Sequence, residues 1–173
     1  EQDPSDANTI YVGFNEVWKS TNQNQDINSY ETVNWEQISY FGGNSLDELK
    51  IAPSNNQYIY AVEHATLYVT KNGGTSWSTL SPSGSAINYI HVSPRDPERI
   101  VAVTSYEVYI STNAGASWTT YTKDLPNVSY YCALWQDNDE NGLYIGGNGF
   151  ISYIEESAAS LTCLIISSFV QSG

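Results

Sequence analysis

Three segments of this chain repeat one pattern, and the period of that pattern limits the fold more than any other feature of the sequence. Each segment opens with a proline turn: Pro4-Ser5-Asp6, Pro53-Ser54-Asn55 and Pro94-Arg95-Asp96. Six residues after each proline comes an apolar run suited to a strand, Ile10-Tyr11-Val12, Ile59-Tyr60-Ala61 and Ile100-Val101-Ala102. A second run carries an aromatic: Val17-Trp18-Lys19-Ser20, Leu67-Tyr68-Val69-Thr70 and Val108-Tyr109-Ile110-Ser111. It leads into a turn of the form Ser/Thr-x-Asn-x-Gly-x-x-Trp, running from Thr70 through Asn72 and Gly74 to Trp77, and from Ser111 through Asn113 and Gly115 to Trp118. A fixed period of forty-odd residues implies stacked or radially arranged units.

The spacing also locates an insertion. Ile59 to Ile100 is 41 residues and Ile100 to Leu143 is 43, whereas Ile10 to Ile59 is 49. Ser20 to Trp35 spans 15 residues where Thr70 to Trp77 and Ser111 to Trp118 span 7, so the excess of 8 lies in the first turn, within 22–34. Asn22 is then the counterpart of Asn72 and Asn113.

Each repeat reads as four short strands: 46–51, 58–62, 67–70 and 76–80 in the second unit, and 87–92, 100–104, 107–111 and 117–121 in the third. Runs of β-formers broken by Gly, Pro, Asn and Asp point to antiparallel meanders. No stretch sustains a period of 3.6, so no long helix is expected. The fourth unit runs through 130–135, 143–145 and 149–154 and then loses the motif. The fold class is therefore all-β, a β-propeller of about four four-stranded antiparallel blades, as a minimal ring or part of a larger one. One domain is expected over 1–173, with units near 4–45, 46–86, 87–128 and 129–157. The first unit lacks its innermost strand, because the chain starts at the proline turn. The apolar stretch 160–170 could close the ring beside 10–13, form the outer strand of the fourth blade, or be donated to a neighbouring molecule.

The turn residues Ser20, Asn22, Trp35, Thr70, Asn72, Gly74, Trp77, Ser111, Asn113, Gly115 and Trp118 resemble the Asp-box, or bacterial neuraminidase repeat. That repeat occurs in sialidases, sortilin-type receptors, photosystem II assembly factors and secreted bacterial propellers. The likeness covers roughly 4–154, with Asn where the family usually has Asp. It implies a structural role for these residues. Asn folds its side chain onto backbone donors, Gly74 and Gly115 supply positive φ, and the tryptophan packs on the blade while its indole N–H finds an acceptor.

Chemistry is less well supplied. The formal charge of −13, with six basic residues, excludes a nucleic-acid footprint and a taste for anionic membranes. Sialidases clamp a carboxylate with three arginines, and this chain has two, Arg95 and Arg99, in one loop. Asp47 and Glu48, on a predicted inner strand, are the carboxylates best placed for glycosidase chemistry in a central channel. Tyr106 and Tyr130, with Tyr30, Tyr40, Phe41, Tyr121 and Tyr131, lie in or beside predicted loops and could stack on sugars or a protein. No metal site or other cofactor is expected. The oxygen-rich Asp137-Asn138-Asp139-Glu140-Asn141 could hold calcium but lacks the full spacing of a calcium loop. Cys132 and Cys163 are the only cysteines and could form a disulfide. Asn127-Val128-Ser129 is a glycosylation sequon, and an opening Glu1-Gln2-Asp3-Pro4 looks like a processed product. The stretch 161–169 is too short to cross a bilayer as a helix, which needs about 20 residues.

The expected function is a non-catalytic, secreted or cell-surface propeller that binds a protein or glycan partner. The alternatives are a carbohydrate hydrolase using channel carboxylates, and a filament subunit assembled through the C-terminal strand.

Overall fold

The computed structural model describes residues 1–22, 33–121, 125–138 and 142–155, and the strand backbone of 162–166. Among them are fifteen strands and no helix. The first sheet holds β1 (Ile10–Gly13), β2 (Val17–Ser20) and β3 (Glu36–Gln37). The second holds β4 (Glu48–Ile51), β5 (Ile59–Glu63), β6 (Thr66–Thr70) and β7 (Ser78–Thr79). The third holds β8 (Tyr89–Val92), β9 (Ile100–Val103), β10 (Val108–Ser111) and β11 (Thr119–Thr120). The fourth holds β12 (Tyr130–Trp135), β13 (Leu143–Gly147), β14 (Phe150–Glu155) and β15 (Thr162–Ile166). Every sheet is an antiparallel meander in chain order, the blade expected from the repeat.

The register repeats as faithfully as the sequence. Ile51 pairs with Ile59, Val92 with Ile100 and Trp135 with Leu143. The bridge between Gln2 and Ile10 has the same offset, and Glu1 exchanges backbone hydrogen bonds with Tyr11. The first sheet has three strands, as expected, and residues 1 and 2 keep only the end of the inner-strand pairing. The intervening turns are alike as well. Asp3, Ala52, Ser93 and Gln136 each donate a backbone N–H to the carbonyl six residues on, at 2.9, 3.0, 2.8 and 2.7 Å.

The core lies between blades, not within them. One cluster joins Tyr11 and Val17 to Leu49, Ile51 and Ile59. A second joins Tyr60, Val62 and Leu67 to Ile90, Val92 and Ile100, and a third joins Val101, Val103 and Val108 to Ala133, Trp135 and Leu143. A middle blade must bury both faces, which is why Ile59-Tyr60-Ala61-Val62 and Ile100-Val101-Ala102-Val103 are unbroken apolar runs and fully buried. Each such Ile or Val stabilises the fold by roughly 1.5–3 kcal/mol.

Some strand bounds differ from expectation for a physical reason. The outer strands expected at 76–80 and 117–121 shrink to two residues, β7 and β11. The N–H groups of Ser76 and Ser117 bond Asn72 Oδ1 and Asn113 Oδ1, at 2.9 and 2.8 Å, instead of a neighbouring strand. The C-terminal segment does not pair with β1, the placement that would close the ring. β15 pairs antiparallel with β14, Ile154 facing Cys163, and is the outer strand of the fourth blade. A local hairpin closes a far shorter loop than a partner at the other end of the chain, and so costs less entropy.

Candidate functional site

The motif turns work as clamps between blades. Thr70 Oγ1 donates to Asn72 Oδ1 at 2.8 Å and accepts the Gly74 N–H at 3.0 Å, while Asn72 Nδ2 reaches Ser76 Oγ at 2.9 Å. Ser111, Asn113, Gly115 and Ser117 repeat this set at 2.8–3.0 Å. In the first turn Ser20 Oγ donates to Asn22 Oδ1, which also receives the Asn34 N–H at 3.0 Å. Trp77 Nε1 donates to Ile38 O at 2.7 Å and Trp118 Nε1 to Leu80 O at 3.0 Å, each reaching back to the preceding blade. Gly74, at φ +96°, leaves no room for a side chain, because an added Cβ would lie 2.8 Å from Ile38.

The acidic candidates are also engaged. Asp6 and Asp96 carboxylates accept N–H groups two residues ahead at 3.0 and 2.9 Å, as Asn55 does with its amide oxygen at 3.1 Å. These are turn-forming contacts. Asp47 Oδ2 accepts the His64 N–H at 2.7 Å and so braces the β5–β6 turn of its own blade. Glu48 lies 3.5 Å from Lys50 Nζ, which pairs with Glu1 at 2.8 Å. Burial acts to lower the Lys50 pKa, but Glu1 and Glu48 outweigh it and hold the ammonium above its ordinary value. Asp137 Oδ1 accepts Arg95 Nε at 2.9 Å, and residues 139–141 of the calcium candidate lie outside the described residues. Among the described residues no group of three or more His, Cys, Asp or Glu could hold a metal. Of the two arginines, Arg95 is engaged by Asp137, and the Arg99 guanidinium lies 4.3 Å from the centre of the Trp135 ring.

The aromatics divide. Tyr106 is 67% exposed at the β9–β10 turn, and Tyr40 and Tyr131 are exposed too. Tyr130 is corrected from a ligand-binding candidate to a core residue: it is 1% exposed, its hydroxyl donates to Pro126 O at 2.7 Å and its ring meets Phe150 edge-on. Tyr121 is half-buried against the third core cluster, and Tyr30 lies outside the described residues. The disulfide is corrected as well. Cys132 is a free thiol on β12 at the inner edge of its blade, and Cys163 lies on β15 at the outer edge. Three strand spacings of about 4.8 Å separate them, where a disulfide needs Cα atoms within about 7 Å.

A groove of about 430 Å³ opens between the first blade and the turn of the second. Lys19, Glu36, Gln37, Tyr40, Phe41 and Trp77 line it. The Phe41 ring stacks on Tyr68 at 3.9 Å and meets Trp77 edge-on at 5.0 Å. Its loop is held by Glu16, whose carboxylate accepts the Phe41 and Gly42 N–H groups at 2.7 and 3.2 Å and the Ser39 hydroxyl. Sequence reasoning flagged Phe41 but missed Glu16, Lys19 and Glu36. The signal was the loop 38–45, whose Phe41 has only Ser83 at the matching place in the next blade. A firmly held aromatic shelf flanked by one cation, one carboxylate and an amide suits a polar ligand with apolar faces.

No protein-family model matches the chain, and neither does any curated protein. Solved structures do. An ancestral GH74 enzyme superposes with a TM-score of 0.67 at 22% identity, over 87% of this chain and 22% of that one. YCF48 bound to D1 peptide superposes with a TM-score of 0.59 at 16% identity, over 88% of this chain and 48% of that one. The chain therefore spans less than half the length of either. The likeness, with four antiparallel sheets and no helix among the described residues, makes the fold a β-propeller.

Proposed function

We propose that this chain is a non-catalytic propeller module of the Asp-box type, secreted or displayed at a cell surface, that binds a protein or glycan partner in the groove between its first two blades. One observation carries the reading: the candidate catalytic carboxylates are engaged in turn and ion-pair contacts, while the groove keeps its aromatic and polar edges open. YCF48, caught with a peptide bound, supports peptide as one ligand class for such a fold. The hydrolase alternative draws on the likeness to a GH74 enzyme, and the two are separable. Donation of the C-terminal strand loses its motive, because β15 already has a partner in β14.

Purified protein is offered a glycan array and a displayed peptide library, and bound oligosaccharides are then checked for cleavage by mass spectrometry. The expected result is binding without cleavage, weakened at least tenfold by Phe41→Ala with the fold preserved. Cleavage that disappears in Asp47→Asn or Glu48→Gln would establish the hydrolase instead. A ligand whose affinity ignores Phe41→Ala would place the binding site elsewhere.

A further inference from the structure

The first blade departs from its own repeat at one pair of opposed residues, and both of them line the groove between the first two blades. In the second blade Val69 stands opposite Ser78 across β6 and β7, and in the third Ile110 stands opposite Thr119 across β10 and β11. The same register place in the first blade holds Lys19 and Glu36. Val69 is 2% exposed in the core between the second and third blades, so the packing of blade on blade calls for an apolar residue there and not for a charge. Lys19 is half-buried, its ammonium 5.5 Å from the centre of the Tyr11 ring, and Glu36 is exposed. Lys50, Lys71 and Arg95 each pair with a carboxylate, whereas among the described residues neither Lys19 nor Glu36 makes an ion pair, with the other or with any third group. Tyr40, 85% exposed, lines the same groove.

We propose that the ligand of this groove, on the reading that the groove is the binding site, is a peptide: an extended segment with one acidic and one basic side chain two residues apart. Residues i and i+2 of an extended chain share a face about 6.8 Å apart, and opposed residues on neighbouring strands hold their Cβ atoms about 5 Å apart. A ligand carboxylate then meets Lys19 while the ammonium or guanidinium beside it meets Glu36. The rings of Tyr40 and Phe41 receive the apolar stems of such side chains. A neutral glycan would leave both charges without a counter-charge. An acidic glycan would satisfy Lys19 but be repelled by Glu36 and by the net charge of −13. Only a ligand with both signs in close succession answers the pair.

The test is fluorescence anisotropy with labelled hexapeptide pools fixed as Glu-x-Lys, Lys-x-Glu, Glu-x-Gln, Gln-x-Lys or Gln-x-Gln, set against neutral and acidic oligosaccharides. The expected result is that one doubly charged order binds about fivefold to tenfold tighter than every other pool, the scale of two ion pairs in contact with solvent, and that salt erodes the difference. Lys19→Val with Glu36→Ser installs the second blade's own residues. That variant should lose the preference while its urea midpoint falls no lower, which a purely structural role for the charges would not allow; Lys19→Gln with Glu36→Gln replaces it if it unfolds. Exchanging the charges, Lys19→Glu with Glu36→Lys, should reverse the preferred order. Equal binding of all pools, an order unmoved by the exchange, or an oligosaccharide that binds tighter than every pool overturns the peptide assignment. In those cases a ligand still weakened by Phe41→Ala leaves the groove standing as the site. Indifference of every ligand to Phe41→Ala and to both charge variants overturns the groove itself.

Discussion

Trp35, Trp77 and Trp118 stand at one place in three equivalent turns, yet two of them bond a carbonyl of a preceding blade and the third faces an apolar opening. The same residue type should therefore carry different weight. Trp77→Ala and Trp118→Ala should each cost about 3 kcal/mol, the low end for a large aromatic because both are half-buried. Trp35→Ala should cost about 1 kcal/mol or less. Urea unfolding followed by circular dichroism measures this, and equal losses at all three would show that Trp35 is covered. A second residue sets the acid response. His91 Nδ1 accepts the Trp135 N–H at 3.3 Å, which requires a neutral ring. Burial, reinforced by Lys50, holds its pKa below the ordinary 6.5. The unfolded chain then binds a proton near pH 6.5 that the native chain refuses, so stability falls as pH drops from 7, until the lowered folded pKa is passed. The slope cannot exceed about 1.4 kcal/mol per pH unit for one group. His91→Gln should flatten that limb. It should spare the later loss, at lower pH, from Asp3, where burial acts to raise the pKa but the Ser5 N–H and hydroxyl, Asn56 and the Asp6 N–H outweigh it and hold it down. A limb that persists in the variant would assign the proton elsewhere.

The first turn shows how a repeat tolerates interruption. Asn22 Oδ1 receives the N–H of the residue before Trp35, as Asn72 and Asn113 do before Trp77 and Trp118, although eight more residues intervene. The bond from Asn34 to Asn22 spans the insertion, and loop-closure entropy grows only logarithmically with length. Deleting eight residues between Asn22 and Asn34 should therefore shift the urea midpoint little and leave the circular dichroism unchanged; unfolding would show that the insertion packs on the blade. This register was legible in the sequence because both the period and its one irregularity are local quantities. So were the strands flanking each proline turn and the acceptor-seeking role of the tryptophans. Which blade supplies the acceptor was not legible, since Ile38 and Leu80 are 39 and 38 residues from their donors. Tyr130 was misread for the same reason: an aromatic at a loop–strand junction looks alike whether it faces solvent or Phe150. Asp47 was a channel-carboxylate candidate because it fell inside the expected strand 46–51, whereas β4 begins at Glu48 and Asp47 accepts the His64 N–H. The placement of β15 was open because an apolar strand carries no sign of which edge it will choose.

At the scale of the molecule, the blades pack in chain order, first on second, second on third and third on fourth. Such an arrangement behaves as a one-dimensional array, in which stability is a sum of unit terms and nearest-neighbour interfaces. The middle blades have two interfaces each and the end blades one. Local opening should follow that count, so hydrogen exchange in dilute solution should be slowest in β5 and β9, whose residues Ile59–Val62 and Ile100–Val103 are buried on both sides. β1 and β14 should exchange faster, their amides opening without the rest of the array. Uniform protection across all four sheets in dilute solution would mean that the unit opens in one cooperative step, and the array description would fail.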